Sequence, residues 1–82
     1  MLVLLPLAKR QLRKLPGDVA DSMLDALEAL VRDPRGRHNV TKLSGWPGAY
    51  RLRKGDFRAT FRFDQERNVV VEEVDDRRDV YR

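Results

Sequence analysis

The sequence predicts an α+β fold with the element order β-α-α-β-β-β, in which a helical hairpin packs on one face of a small, mainly antiparallel sheet. In the first half of the chain, apolar residues recur every three or four positions, as in helices with one buried side. In the second half they alternate with charged residues, as in strands with one buried face. The 82 residues suffice for one small core, so we expect a single domain over residues 1–82.

The first helix follows a short apolar segment. Residues 2–5 form either a buried strand or the lead-in to that helix. Pro6 suits a first helical turn, where its missing N–H costs nothing, and Pro16-Gly17 ends the helix. The apolar positions at helical spacing are Leu5, Ala8, Leu12 and Leu15.

The second helix is predicted to be capped by Asp18 and to close near Pro34. One apolar stripe runs along it, which we assign to the core rather than to a ligand site. The stripe consists of Val19, Met23, Ala26, Leu27, Leu30 and Val31. The first helix is basic on its outer side and the second is acidic. Because the connection is short, the two helices should pack as an antiparallel pair over the sheet.

Residues 35–43 are interpreted as a connecting loop. His38, the one histidine of the chain, has no acid at ligand spacing, so we expect an exposed loop residue and not a metal ligand. Trp46 lies in a Gly-Trp-Pro-Gly turn. It is more typical of an apolar plug at the sheet edge than of a platform on which bases stack.

A β-hairpin is predicted around Gly55, because apolar and basic residues alternate on both sides of it. With a two-residue loop, either Lys54-Gly55 or Gly55-Asp56, odd positions pair with even ones and the side chains separate into two faces. The apolar face consists of Tyr50, Leu52, Phe57, Ala59, Phe61 and Phe63. The other, which we call the arginine face, consists of Arg51, Arg53, Arg58, Thr60 and Arg62.

The arginine face has few acids of its own in the sequence. Residues 46–63 contain five basic residues and one acid, an excess equal to the net charge of +4 of the whole chain. One interpretation is a solvated outer face whose arginine stems cover apolar surface. The other is a polyanion-binding surface, because guanidinium groups contact phosphate in a forked geometry.

The last predicted strand covers residues 69–74, whose β-branched run suits a central strand buried on both faces. The absence of cysteine excludes disulfides and cysteine-bound zinc. The opening residues are too short for a signal peptide and lack its basic segment, and no stretch resembles a transmembrane span. We therefore expect a cytoplasmic protein without a membrane partner.

Three short motifs follow the predicted helices in the sequence. They are Lys42-Leu43-Ser44-Gly45, then Tyr50-Arg51-Leu52-Arg53-Lys54-Gly55-Asp56-Phe57-Arg58, then Arg77-Arg78-Asp79-Val80-Tyr81-Arg82. In this order and spacing the chain resembles the RelE/ParE superfamily of bacterial toxins from type II toxin–antitoxin pairs, and its RelE-like branch in particular. The resemblance covers nearly the whole chain, and the small fold of that superfamily agrees with the predicted element order.

The resemblance implies a metal-independent mRNA interferase that enters the ribosomal A site and cuts mRNA by attack of a ribose 2′-OH on the adjacent phosphate. It implies no cofactor, and as partners the ribosome, mRNA and an antitoxin, RelB-like or other, with an acidic segment. By motif, the implied catalytic residues are Arg51, Arg53, Arg58, Arg77 and Tyr81. The implied RNA-binding residues are Lys54, Arg62 and Arg78.

Relatives often carry lysine where Arg51 and Arg53 stand. Because arginine stays protonated near neutral pH, these two side chains would stabilise charge, and the general base is open between Tyr81 and Lys54. Two acids at positions 75 and 76 precede Arg77 and would partly neutralise it.

Two other classes of function stay open. A ParE-like protein would bind DNA gyrase and cut nothing, although such members usually lack the basic residues and tyrosine that match here. A nucleic-acid-binding module without catalysis, or a decayed toxin, would need the arginine face alone.

Overall fold

Five strands and two helices make up the part of the chain that the computed structural model describes, residues 1–76. In chain order they are β1 (Leu2–Leu4), α1 (Pro6–Arg13), α2 (Gly17–Arg32), β2 (Val40–Lys42), β3 (Ala49–Lys54), β4 (Phe57–Phe63) and β5 (Val69–Asp76). The strands form one sheet in the order β1-β5-β4-β3-β2, parallel between β1 and β5 and antiparallel elsewhere. The predicted α+β fold, with helices packed on a mainly antiparallel sheet, is confirmed.

A proline stands at the beginning of each helix. Pro6 occupies the first turn of α1, and Pro16 is the residue before α2. The predicted cap at Asp18 is wrong, because Pro16 already sits in the extended conformation of a capping residue and leaves Asp18 inside the first turn. There its carboxylate still suits the positive end of the helix dipole. The predicted core stripe is confirmed at its centre, where Met23, Leu27 and Leu30 are buried.

Residues 2–4 form a strand, which settles the alternative left open by the sequence. The strand pairs with β5 through Val71, whose carbonyl accepts a hydrogen bond from the Leu5 N–H at 3.0 Å. The chain then turns into α1, and the side chain of Gln11 continues the pairing. Its Oε1 accepts a hydrogen bond from the Val74 N–H at 2.6 Å. Beyond the end of β1, a side chain of α1 therefore pairs with the free edge of β5 in place of a strand.

The segment predicted as a loop contains the edge strand β2. Val40 pairs with Leu52, and Lys42 pairs with Tyr50. Three residues are too few to show strand periodicity, and the strand forms because β3 offers a free edge. His38, predicted as a plain loop residue, donates a hydrogen bond from Nε2 to the Asp33 carbonyl oxygen at 2.6 Å.

The hairpin has the predicted parity. Lys54 pairs with Phe57, so the two-residue loop is Gly55-Asp56, and Gly55 has the positive φ of 60° that such a turn requires. Phe61 faces the helices and is fully buried, whereas Arg53 and Arg58 lie opposite each other on the outer face.

A β-bulge interrupts the pairing of β4 with β5. Thr60 pairs with Glu73 and the next residue, Phe61, pairs with Val71, so Glu72 is the extra residue. Residues 69–71 are buried, as predicted for a strand covered on both faces, but Glu73 is exposed. Neither helix of the described part is long and apolar enough to cross a membrane.

Candidate nucleic-acid interface

Three arginines from neighbouring strands converge on the outer face of the sheet. Arg51 and Arg53 of β3 and Arg58 of β4 line one depression of about 260 Å³, which we call the arginine depression; Asn39 and Thr41 complete its wall. Like charges placed side by side across two strands destabilise a sheet. A site that concentrates them is suited to a bound anion, whose charge would relieve the repulsion.

The guanidinium of Arg58 is held by Asp75 across the β4–β5 pair. Its Nε donates to Oδ1 at 3.1 Å and its Nη2 donates to Oδ2 at 3.4 Å. The Arg58 side chain is 12% exposed and that of Asp75 is 35% exposed. The arginine face is therefore less positive than its own strands suggest, because β5 contributes acids to it. The Asp75 carboxylate thus offsets the charge of Arg58, a contact that the sequence did not predict. Arg77, on which it was expected to act, lies outside the described residues.

Arg51 and Arg53 have no carboxylate partner among residues 1–76. Arg51 is half-buried and lies opposite Thr60, whereas Arg53 is exposed and its Nε donates to the Gly55 carbonyl oxygen at 3.4 Å. The guanidinium of Arg51 and the Nη groups of Arg53 are thus available to an anion in the arginine depression.

Two predicted RNA-binding residues lie away from the arginine depression. Lys54 is at the end of β3 and lines a different depression, of about 340 Å³, together with Asp18 and Ser22 of α2. Arg62 lies at the opposite end of β4 from Arg58, with its Nε 3.7 Å from an oxygen of Glu72. Lys54 is thus on the helix side of the sheet, which leaves it poorly placed as a general base for the arginine depression.

The other implied site residues, Arg77, Arg78 and Tyr81, lie outside the described residues. Their place relative to the arginine depression stays a prediction. Within residues 1–76, no three histidine, aspartate or glutamate side chains are grouped as a metal site would need.

The expectation that Trp46 plugs the sheet edge is wrong. The residue is 70% exposed, so its ring is largely uncovered. It lines a second depression of about 310 Å³, which we call the tryptophan depression, with Arg51, Thr60 and Glu73 among the other lining residues. Since Arg51 lines both depressions, they are neighbours on the same face.

The sequence did not predict that acids of β5 would lie on the arginine face. Glu72, Glu73 and Asp75 all reach the arginine face, the first through its contact with Arg62. The sequence carries a weak signal, since the apolar positions change from odd at Val71 to even at Val74, although Val70 makes the alternation ambiguous. Such a change of parity indicates a bulge, which moves the following residues to the other face.

Comparison with known proteins identifies the relatives of this fold. The model of the family described as "ParE toxin of type II toxin-antitoxin system, parDE" matches residues 2–81. A search of curated proteins gives no significant match.

Several solved structures share the fold. The RelE toxin in the RelB–RelE complex from Methanococcus jannaschii matches with a TM-score of 0.81 at 16% identity, over 96% of this chain and 94% of that one. The Mycobacterium tuberculosis RelBE2 complex matches with a TM-score of 0.77 at 29% identity, over 94% and 96%. The isolated E. coli RelE toxin matches with a TM-score of 0.76 at 25% identity, over 93% and 82%.

Proposed function

We propose that this chain, which belongs to the ParE toxin family of type II toxin–antitoxin systems, is a toxin that cleaves mRNA on the ribosome without a metal ion. The observation that carries the proposal is the convergence of Arg51, Arg53 and Arg58 on one depression. The likeness to RelE toxins at 25% and 29% identity supports the RNA-directed branch.

The proposed reaction is a transfer within the RNA backbone. The 2′-oxygen forms a bond to the adjacent phosphorus and the bond to the 5′-oxygen breaks, which leaves a cyclic phosphate and a free 5′-hydroxyl. A base takes the 2′ proton and an acid supplies one to the 5′-oxygen. Negative charge builds on the phosphate oxygens in the transition state, and guanidinium groups fixed beside them stabilise it.

Arg51 and Arg53 would supply most of that charge stabilisation, because neither has a carboxylate partner among residues 1–76. Arg58 keeps its Nη1 donors, since Asp75 engages Nε and Nη2. Arginine cannot act as the base near neutral pH. Tyr81 therefore stays the proposed proton-transfer residue, on the strength of the motif alone.

The proposal is tested by inducing the protein in cells and mapping mRNA 5′ ends. We expect cleavage in phase with codons, lost in Arg51→Ala and Arg58→Ala and reduced in Tyr81→Phe. Arg32→Ala is the charge-matched control, because Arg32 is exposed in the last turn of α2 and far from the arginine face. Growth arrest with intact mRNA would overturn the proposal that the protein is a nuclease.

The second candidate is a gyrase inhibitor that cuts nothing. Two observations favour this candidate. The description of the matching family names ParE toxins, and Asp75 offsets the charge of Arg58. In that case induction should block DNA supercoiling and trigger the SOS response while mRNA stays intact. Both readouts come from the same induced culture, so one experiment separates the two mechanisms.

An antitoxin is the proposed partner, because several matching structures are toxin–antitoxin complexes. An acidic antitoxin segment would fit the arginine face and mask Arg51 and Arg53. We expect the complex to weaken as salt rises and on Arg51→Ala. If neither salt nor Arg51→Ala changed the affinity of the complex, the antitoxin would bind to another surface.

A further inference from the structure

We propose that the tryptophan depression holds one nucleobase of single-stranded RNA, stacked on Trp46 and recognised by Glu73. The inference rests on the proposed action on RNA and adds a site for one base beside the phosphate site. It follows from how Trp46 is presented, from the position of Arg51, and from the chemistry of Glu73.

The indole is held out on a well-defined turn. Gly45 and Gly48 on either side have φ values of 80° and 79°, which non-glycine residues rarely adopt. The turn is closed by a hydrogen bond from the Ala49 N–H to the Trp46 carbonyl oxygen at 3.0 Å. A large aromatic ring that is 70% exposed leaves a π-face open to a flat partner. Because the turn fixes the backbone of Trp46, stacking restricts only the side-chain torsions of this residue.

Arg51 connects this ring to the phosphate site. The residue lines both the arginine depression and the tryptophan depression. A nucleotide can therefore place its phosphate over the arginines and its base against Trp46. Proteins that bind single strands combine cations that follow the backbone with aromatic rings that stack on bases, and this face has both.

Glu73 gives the tryptophan depression a preference among bases. It is exposed opposite Thr60 and has no ion-pair partner within residues 1–76, whereas Glu72 contacts Arg62. A carboxylate only accepts hydrogen bonds. Guanine presents two adjacent donors on its Watson–Crick edge, N1–H and the N2 amino group, and the other bases present one donor beside acceptors. We therefore expect guanine to bind best.

Trp46 is the one tryptophan of the chain, so its fluorescence reports stacking directly. The full chain is titrated at low salt with the pentaribonucleotides UUGUU and UUUUU. We expect quenching of the Trp46 emission by both and about 10-fold tighter binding of UUGUU, the discrimination of one bidentate contact. Trp46→Ala should weaken binding by about 5- to 150-fold, and Trp46→Phe, which keeps a ring, should retain most of the affinity.

A variant and a charge-matched control test the preference for guanine. Glu73→Gln should bring the two affinities close together, while Glu66→Gln, in the exposed turn before β5, should leave their ratio unchanged. RNA binding with unquenched Trp46 and an unaffected Trp46→Ala variant would overturn this inference and leave the nuclease proposal standing. Failure to bind any RNA, together with intact mRNA in cells, would overturn both. Emission that responds to an antitoxin peptide but not to RNA would make the surface a protein-docking site and also overturn the inference.

Discussion

Arg58 and Asp75 lie opposite each other on β4 and β5 and are joined by two hydrogen bonds, of 3.1 and 3.4 Å. The pair fixes the direction of a guanidinium that borders the arginine depression, and it also offsets its charge. A phosphate must therefore compete with a built-in carboxylate for Arg58, while Arg51 meets no such competitor among residues 1–76.

Replacement of Asp75 by Asn should strengthen RNA binding and its dependence on salt. One further arginine becomes available to phosphate, which should steepen the plot of log affinity against log salt by about 0.7. Measurement is by fluorescence titration at several salt concentrations. Glu66→Gln removes the same charge from an exposed turn and serves as control. An unchanged slope would mean that Asp75 positions Arg58 without competing for it. The Asp75→Asn variant should lose about 1 kcal/mol of folding stability, since the ion pair is partly solvated.

Replacement of Gln11 by Met should destabilise the fold by about 1–2 kcal/mol, because the N–H of the buried Val74 loses its acceptor. Met keeps the length of the side chain, so packing changes little. Gln11→Glu keeps an oxygen in place and should cost less. Urea unfolding of the three proteins measures the difference. Equal stability of the Met variant and the parent would show that water replaces the amide.

Replacement of Phe61 by Ala should destabilise the protein by about 3–5 kcal/mol, since the ring is fully buried and its loss leaves a cavity. That is a large part of the stability of a small domain. Phe63→Ala is the matched control: its ring packs against Tyr50 and Phe61 but is 37% exposed, so about 1 kcal/mol is expected. Thermal unfolding followed by circular dichroism distinguishes the two.

The turn between β4 and β5 should contribute stability that depends on pH. The Asn68 side chain and backbone N–H donate to Asp64 at 2.9 and 2.8 Å, which lowers the pKa of that carboxyl, with a smaller contribution from the Glu66 N–H. A lowered folded-state pKa stabilises the fold above the unfolded pKa of about 4, and the gain disappears as pH falls through the folded value.

The test of this turn compares the parent with Asp64→Asn by urea unfolding between pH 7 and pH 2. The stability advantage of the parent should be constant at and above pH 5 and shrink below about pH 4. An advantage that stayed constant to pH 2 would show that the charge of Asp64 contributes nothing.

The sequence predicted the hairpin well because two local signals agree. Alternation over Phe57–Phe63 has period two, and Gly55 sets the loop length, so both faces follow. Strand β2 left no such signal, because it depends on pairing with β3. The bulge at Glu72 was hidden by Val70, which makes the alternation ambiguous. Had the pairing continued from Val71 without the bulge, Val74 and not Asp75 would lie opposite Arg58. The charge of the arginine face therefore depends on a feature that the local pattern did not resolve.

The sheet order places β1, Leu2–Leu4, against Val69–Val71 of β5. Contacts this distant in sequence form late, since a long loop of chain must close around them. While the protein is emerging from the ribosome, β1 stays without its partner until residues 69–71 have been translated. The sheet is therefore completed only once β5 has been made, and until then each molecule carries an unpaired β1.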